Sequence, residues 1–200
     1  MSTLLISKVS ATGYSVPGLY YGSFDFGNTS HNQTLVVTAQ DSLPVSVTFN
    51  SDGTKMYMDG NQGNDISEYS LTVAYDISTA TLSQSFSIAA QDGTPYGHRF
   101  NDDGSKMYLV GDAGNDINEY DLSTAFDIST AVFSHRFLVN GQDTSPRGLV
   151  FNPDGTKMYV TGDVGNDVSE YDLSTAFDVL LSSVVFVSLN AMTCMDLFNE

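Results

Sequence analysis

Phe151-Asn152-Pro153-Asp154-Gly155-Thr156-Lys157-Met158-Tyr159 decides how this chain folds, because the phrase occurs three times. It stands earlier as Phe49-Asn50-Ser51-Asp52-Gly53-Thr54-Lys55-Met56-Tyr57 and as Phe100-Asn101-Asp102-Asp103-Gly104-Ser105-Lys106-Met107-Tyr108, a spacing of 51 residues each time. Gly63-Asn64-Asp65, Gly114-Asn115-Asp116 and Gly165-Asn166-Asp167 keep the same register, as do Glu68-Tyr69, Glu119-Tyr120 and Glu170-Tyr171. Self-similarity at this period marks a repeat architecture.

Each unit reads as four short strands between turns. In the third, strand A is expected over 147–151, an Asn-Pro-Asp-Gly turn over 152–155 and strand B over 157–161. A Gly/Asn/Asp loop follows over 162–167, then strand C over 168–173 and strand D near 184–189. No stretch sustains a helical apolar period. Four short strands in about 50 residues are the signature of a β-propeller blade, so the fold class is all-β.

Stepping the register back by 51 aligns Phe24-Asp25 with Tyr75-Asp76, and Gln40-Asp41 with Gln91-Asp92. Residues 1–43 therefore read as strands B, C and D of a diverged blade, over Leu4–Val9, Val16–Tyr21 and Gln33–Thr38. Leu197-Phe198-Asn199-Glu200 resembles Val150-Phe151-Asn152-Pro153, so 191–200 is read as the missing strand A. The expected domain is one propeller with complete blades at 44–94, 95–145 and 146–190 and a fourth split between the termini. An eight-bladed ring shared by two chains makes the same contacts.

The 200 residues suffice for one domain, and 41% apolar residues provide a core. Seven Lys and Arg against 24 Asp and Glu give a charge of −17, which argues against nucleic acid and anionic membrane as partners. No apolar run approaches the ~20 residues of a membrane-spanning helix. Cys194 is the single cysteine, which excludes an internal disulfide. The amino terminus lacks a basic leader with an apolar run, so it reads as a poor secretory signal.

Residues present in every blade serve the blade. A B–C hairpin centred near 61–62 sets Lys55 opposite Glu68, a charge pair recurring in each unit. The loops at 60–65, 111–116 and 162–167 read first as hairpin connections. Their Asn64, Asp65, Asp112, Asn115, Asp116, Asp163, Asn166 and Asp167 also offer oxygen ligands for calcium, without the EF-hand spacing. A ligand site is sought where the repeat is broken. Strand A borders the central channel, and there Tyr96, His98, Arg99, Arg147 and Asp196 are unlike their equivalents. They form either a ligand cluster at the channel mouth or a set of groups that satisfy one another. No nucleophile-elbow, zincin or phosphate-loop motif is present.

The unit beginning Phe151-Asn-Pro-Asp-Gly-Thr-Lys-Met-Tyr-Val-Thr-Gly resembles the YVTN-type β-propeller repeat of surface proteins and lactonase-like propellers. Glu170-Tyr-Asp-Leu-Ser-Thr-Ala-Phe-Asp resembles repeats in tail-fibre and virion structural proteins of aquatic phages, and the opening Met1-Ser-Thr-Leu is similar to phage fibre proteins. The virion resemblance implies a non-enzymatic assembly or adhesion module, forming a homo-oligomer or joining other virion or surface proteins. A host glycan is a further partner, for which Tyr20 and Tyr21 are candidates. Its localisation would be the virion, or the cell surface by non-classical export. The lactonase resemblance implies instead a hydrolase using the channel mouth, with an acid, a histidine or a metal-binding carboxylate in set blade positions. Light scattering separates the ring alternatives: a mass near 21.6 kDa is expected for the self-closed ring, and twice that for the shared one.

Overall fold

The computed structural model describes residues 30–180, and the elements belong to the unit that begins at Gln33. Strands β1 (Pro44–Phe49), β2 (Lys55–Gly60), β3 (Asp65–Leu71) and β4 (Ala80–Ser87) form one antiparallel sheet in chain order. Strands β5 (Pro95–Phe100), β6 (Lys106–Gly111), β7 (Asp116–Leu122) and β8 (Ala131–Leu138) form the second. Strands β9 (Pro146–Phe151), β10 (Lys157–Gly162) and β11 (Val168–Asp172) form the third. β1 lies against β5 and β5 against β9, so the first strand of each sheet is the inner one, as in propeller blades. Within the described residues the only helical elements are 3-10 turns at Ile77–Thr79 and Ile128–Thr130.

The repeated turn has a local cause. Asn50 Oδ1 accepts from the Lys55 amide at 2.9 Å, and Asp52 Oδ1 accepts from the Thr54 amide at 2.9 Å. Gly53 completes the turn at φ +72°, a left-handed conformation that costs a residue with a Cβ. Tyr75 covers this glycine so closely that an added Cβ would stand 2.3 Å from the ring, and Phe126 and Phe177 cover Gly104 and Gly155 in the same way. These three aromatics themselves have φ near +57° to +59°.

That unusual backbone aims a carbonyl at the preceding blade. Tyr57 is fully buried and donates its hydroxyl to the Phe126 carbonyl at 2.5 Å, and Tyr108 donates likewise to Phe177. Lys55 Nζ reaches the same Phe126 oxygen at 2.8 Å. Glu68 and Glu119 are also buried, and each accepts from an amide 60 residues later, Ile128 at 3.4 Å and Val179 at 2.9 Å. A buried hydroxyl or carboxylate without such a partner would cost several times what it contributes.

The apolar core lies in the seams between blades. Tyr57 and Ile66 pack with Met107, Leu109 and Tyr120, while Tyr108 and Val110 turn the other way onto Leu149, Met158 and Val160. Both alternate sets of a middle strand are therefore buried, each against a different neighbour. Sequence reasoning assigned only one set to the seams; a blade flanked on both faces needs two.

The B–C register also differs from expectation. Lys55 faces Ser70 and Glu68 faces Tyr57, two residues from the predicted pairing, and the ion pair survives on the diagonal at 2.9 Å. The loop sets this offset: Asp41 accepts from the Gln62 and Gly63 amides at 3.0 and 2.6 Å, and Asn64 takes φ +49°. Gln33–Thr38, expected as a strand, forms none among the described residues. Its pairing partner, expected over 16–21, lies outside them, as do the strands expected at 4–9, near 184–189 and over 191–200. Gln33 nonetheless donates to Asp76 at 2.7 Å as Gln84 does to Asp127 at 2.9 Å, and Leu35 and Val37 pack on Met56 and Met58.

Gly104→Ala should lower unfolding free energy by about 1 kcal/mol or more, read by denaturant melts. The added Cβ meets both the left-handed φ and the Phe126 ring.

Candidate functional site

Inner strands β1 and β5, with β2 beside them, bring together three residues that break the repeat. His98, on β5, stands where the other blades have Val47 and Leu149. Asp59, on β2, replaces Val110 and Thr161, and Thr48, on β1, replaces Arg99 and Val150. His98 Nε2 lies 2.7 Å from Thr48 Oγ1, and its Nδ1 lies 3.1 Å from Asp59 Oδ1. His98 and Asp59 have fully buried side chains, whereas Thr48 is half-buried and lines a cleft of about 220 Å³ with Ser51, Arg99 and Asp102. The Nδ1–Asp59 contact is within ion-pair range but too poorly aligned for a hydrogen bond, and both Asp59 oxygens lack hydrogen-bond partners. A buried carboxylate is sustained only by a nearby charge or donor, and His98 is the group beside it.

A second cleft of about 240 Å³ opens between β1, β5 and β9, lined by Ser46, Tyr96, His98, Arg99 and Arg147. Four of the five channel-mouth residues expected from sequence thus meet at one place; Asp196 lies outside the described residues. Arg147 stacks its guanidinium 3.6 Å from the Tyr96 ring centroid, a favourable cation–π distance. Its Nε pairs with Asp163 at 2.7 Å and its Nη2 approaches Asp112 at 3.7 Å, while Nη1 is buried without a hydrogen-bond partner. Arg99 borders both clefts and donates weakly to the Leu149 carbonyl at 3.4 Å. Two of the chain's seven basic residues therefore face one concavity in an otherwise acidic protein.

The Asp/Asn loops are held by backbone turns and amide hydrogen bonds. Asn64, Asn115 and Asn166 occupy the left-handed position of each loop, at φ +49°, +52° and +54°, a conformation asparagine tolerates. Backbone amides face the nearest carboxylate: Asp143 accepts from Ser145, Val164 and Gly165 at 2.6, 3.1 and 2.5 Å. Asp116 is buried and accepts from Asn118 at 2.7 Å, Asp112 and Asp163 meet Arg147, and Asp167 is exposed. Among the described residues these loop carboxylates do not converge into a cluster of three.

Sequence reasoning found His98 and the arginines because they sit on strand A. It missed Asp59 and Thr48, although each was visible as a polar departure from an apolar or differently charged equivalent.

No family model matches this chain, and no curated protein matches it in sequence. Solved structures do resemble it. A candidate 6-phosphogluconolactonase from Bacteroides uniformis is 14% identical with a TM-score of 0.52, the match covering 65% of this chain and 37% of that one. Another from Bacteroides fragilis is 18% identical with a TM-score of 0.51, covering 66% and 38%. The periplasmic gluconolactonase of Pseudomonas aeruginosa is 18% identical with a TM-score of 0.50, covering 64% and 35%. These likenesses establish a β-propeller fold, and the chain spans under two-fifths of the length of each of these proteins.

Acid should destabilise the protein. Burial pushes the Asp41 carboxyl up, but the amides of Gly63, Leu43 and Gln62 together outweigh it and hold it below the ordinary range. The Gly165 amide does the same for Asp143, and hydrogen bonds from Thr54, Ser105 and Thr156 lower Asp52, Asp103 and Asp154. Asp65 and Asp116 are raised by burial and act in the opposite sense. A carboxylate with a depressed native pKa stabilises above its unfolded value near ~4 and loses that contribution as pH falls through the native one. Lowered groups outnumber raised ones, so melting temperature should fall steadily between about pH 4 and pH 2. A flat or rising profile would contradict this balance.

Proposed function

We propose that the inner-strand clefts form a hydrolytic site of the lactonase-like class, acting on a small anionic ester or lactone. The observation that carries this reading is the 2.7 Å approach of Thr48 Oγ1 to His98 Nε2, with Asp59 on the other ring nitrogen, at positions that are apolar or different elsewhere in the repeat. A hydroxyl, an imidazole and a carboxylate in that order are the elements of nucleophilic acyl transfer. His98 Nε2 takes the Thr48 proton as Oγ1 bonds to the substrate carbonyl carbon. The ester C–O bond then breaks, the leaving oxygen takes that proton from His98, and an acyl-threonine remains. Water, deprotonated by the same imidazole, cleaves the acyl-threonine and restores the hydroxyl. Arg99 and Arg147 supply the positive charge that draws an anionic substrate into the clefts, and Tyr96 holds the Arg147 plane.

The three similar structures carry lactonase names, which supports hydrolysis over the assembly module expected from the virion resemblance. One observation favours association: Val132, Phe133 and Leu138 of the outer strand β8 are exposed. A larger solution mass would support that second reading.

The test is turnover of small activated esters and aldonolactones by the purified chain. Thr48→Val and His98→Gln should each lower kcat by about 100-fold or more, while Thr48→Ser retains activity. Arg147→Ala should raise KM for anionic substrates by roughly tenfold, the worth of one charge-assisted contact. Undiminished turnover in Thr48→Val would sink the mechanism.

A further inference from the structure

The seam between the second and third blades carries a second cluster, away from the inner strands. In the first seam, Gln84 Nε2 donates to Glu68 Oε2 at 2.8 Å and to Asp127 Oδ1 at 2.9 Å, so one amide group ties two carboxylates together. Asp127 also receives the Ser129 amide at 3.0 Å and the Ser129 hydroxyl at 2.7 Å. One repeat later the equivalent residues are Glu119, His135, Asp178 and Leu180. Two substitutions fall on one spot, and both remove hydrogen-bond donors. An imidazole nitrogen offers at most one proton where the amide offered two, and leucine offers no hydroxyl.

The geometry follows from that loss. His135 Nε2 stands 3.4 Å from Glu119 Oε2 and 3.4 Å from Asp178 Oδ1, and it makes no hydrogen bond although the atom itself is buried. Its other ring nitrogen lies 3.2 Å from the Ser134 hydroxyl. With the proton on that side, Nε2 turns a lone pair toward the two carboxylates. Glu119 is fully buried, while His135 and Asp178 side chains are 19% and 32% exposed, so solvent reaches one side of the cluster. Glu119 and Asp121 share Lys106 as their cation, since Lys106 Nζ pairs with Glu119 Oε1 and, at 2.9 Å, with Asp121. The local charge is left negative.

We propose that His135, Glu119 and Asp178 bind one divalent transition-metal ion of the zinc type. Ligand atoms about 2.0–2.1 Å from a tetrahedral zinc stand about 3.3–3.4 Å from one another, and both nitrogen–oxygen pairs are separated by 3.4 Å. The ion replaces the two donors that the substitutions removed and neutralises the surplus carboxylate charge. One imidazole and two carboxylates suit zinc better than calcium, which takes oxygen ligands. Three protein ligands leave a fourth position facing solvent. The site ties β7 and β8 to the connection that follows β11, so the metal acts as a clamp between blades.

The test is zinc titration of chelator-treated full-length protein, followed by calorimetry and by thermal melting. One equivalent of zinc should bind per chain near neutral pH and raise the melting temperature, and cobalt should give the visible bands of a tetrahedral site. His135→Gln reinstates the residue of the first seam, so it should fold without metal and bind zinc at least about 100-fold more weakly. Asp178→Asn should weaken binding in the same direction. A native chain that takes up no zinc, or zinc uptake undiminished in His135→Gln, overturns the site. Neither result depends on hydrolytic activity at the inner strands.

Discussion

A buried tyrosine hydroxyl that must find an acceptor in the next blade is the constraint on which this architecture rests. Tyr57 and Tyr108 sit at the centre of two apolar seams, where an unmade hydrogen bond would be expensive, and each reaches a backbone carbonyl 69 residues later. That carbonyl is presented by an aromatic residue held at positive φ. The same aromatic ring lies on the turn glycine of its own blade, so the two local strains support one another. Buried Glu68 and Glu119 fasten the seam again through amides of the following unit. Register, turn and seam are therefore one coupled arrangement.

This coupling explains why the site lies where it does. A residue repeated in every blade is committed to the seams, so chemistry is available only where the repeat lapses. The inner strands lapse most, because they face one another across β1, β5 and β9 and need not reproduce the seam contacts. His98, Asp59 and Thr48 meet there, with Arg99 and Arg147 bordering the same clefts. The second lapse, at His135 and Leu180, falls within a seam, and there a lost pair of donors leaves a cluster suited to a cation.

The fold was legible in the sequence because a 51-residue period combines turn chemistry with strand alternation, and both act locally. The Asn-x-Asp-Gly turn could be read from residue types alone. The hairpin register could not, since it is set by Asp41, a residue 21 positions before the Gln62 amide it holds. Burial of both faces of the middle strands was likewise beyond a single-blade reading. For the site, His98 and Arg147 stood out as unique on strand A, whereas Asp59 lies on strand B. Its meeting with His98 depends on how two sheets are stacked, which no spacing along the chain encodes.

The seam contacts run in one direction only. In both described seams a tyrosine hydroxyl and a buried glutamate on one flank meet an aromatic carbonyl and an amide on the other, so copies join head to tail. Such an interface is heterologous: it closes when the rotation per unit divides a full turn, and otherwise continues. Gene duplication of the unit adds both halves of the fastening at once, with no new surface to evolve. Curvature, set by the bulk of the seam side chains, then decides how many units a ring will hold.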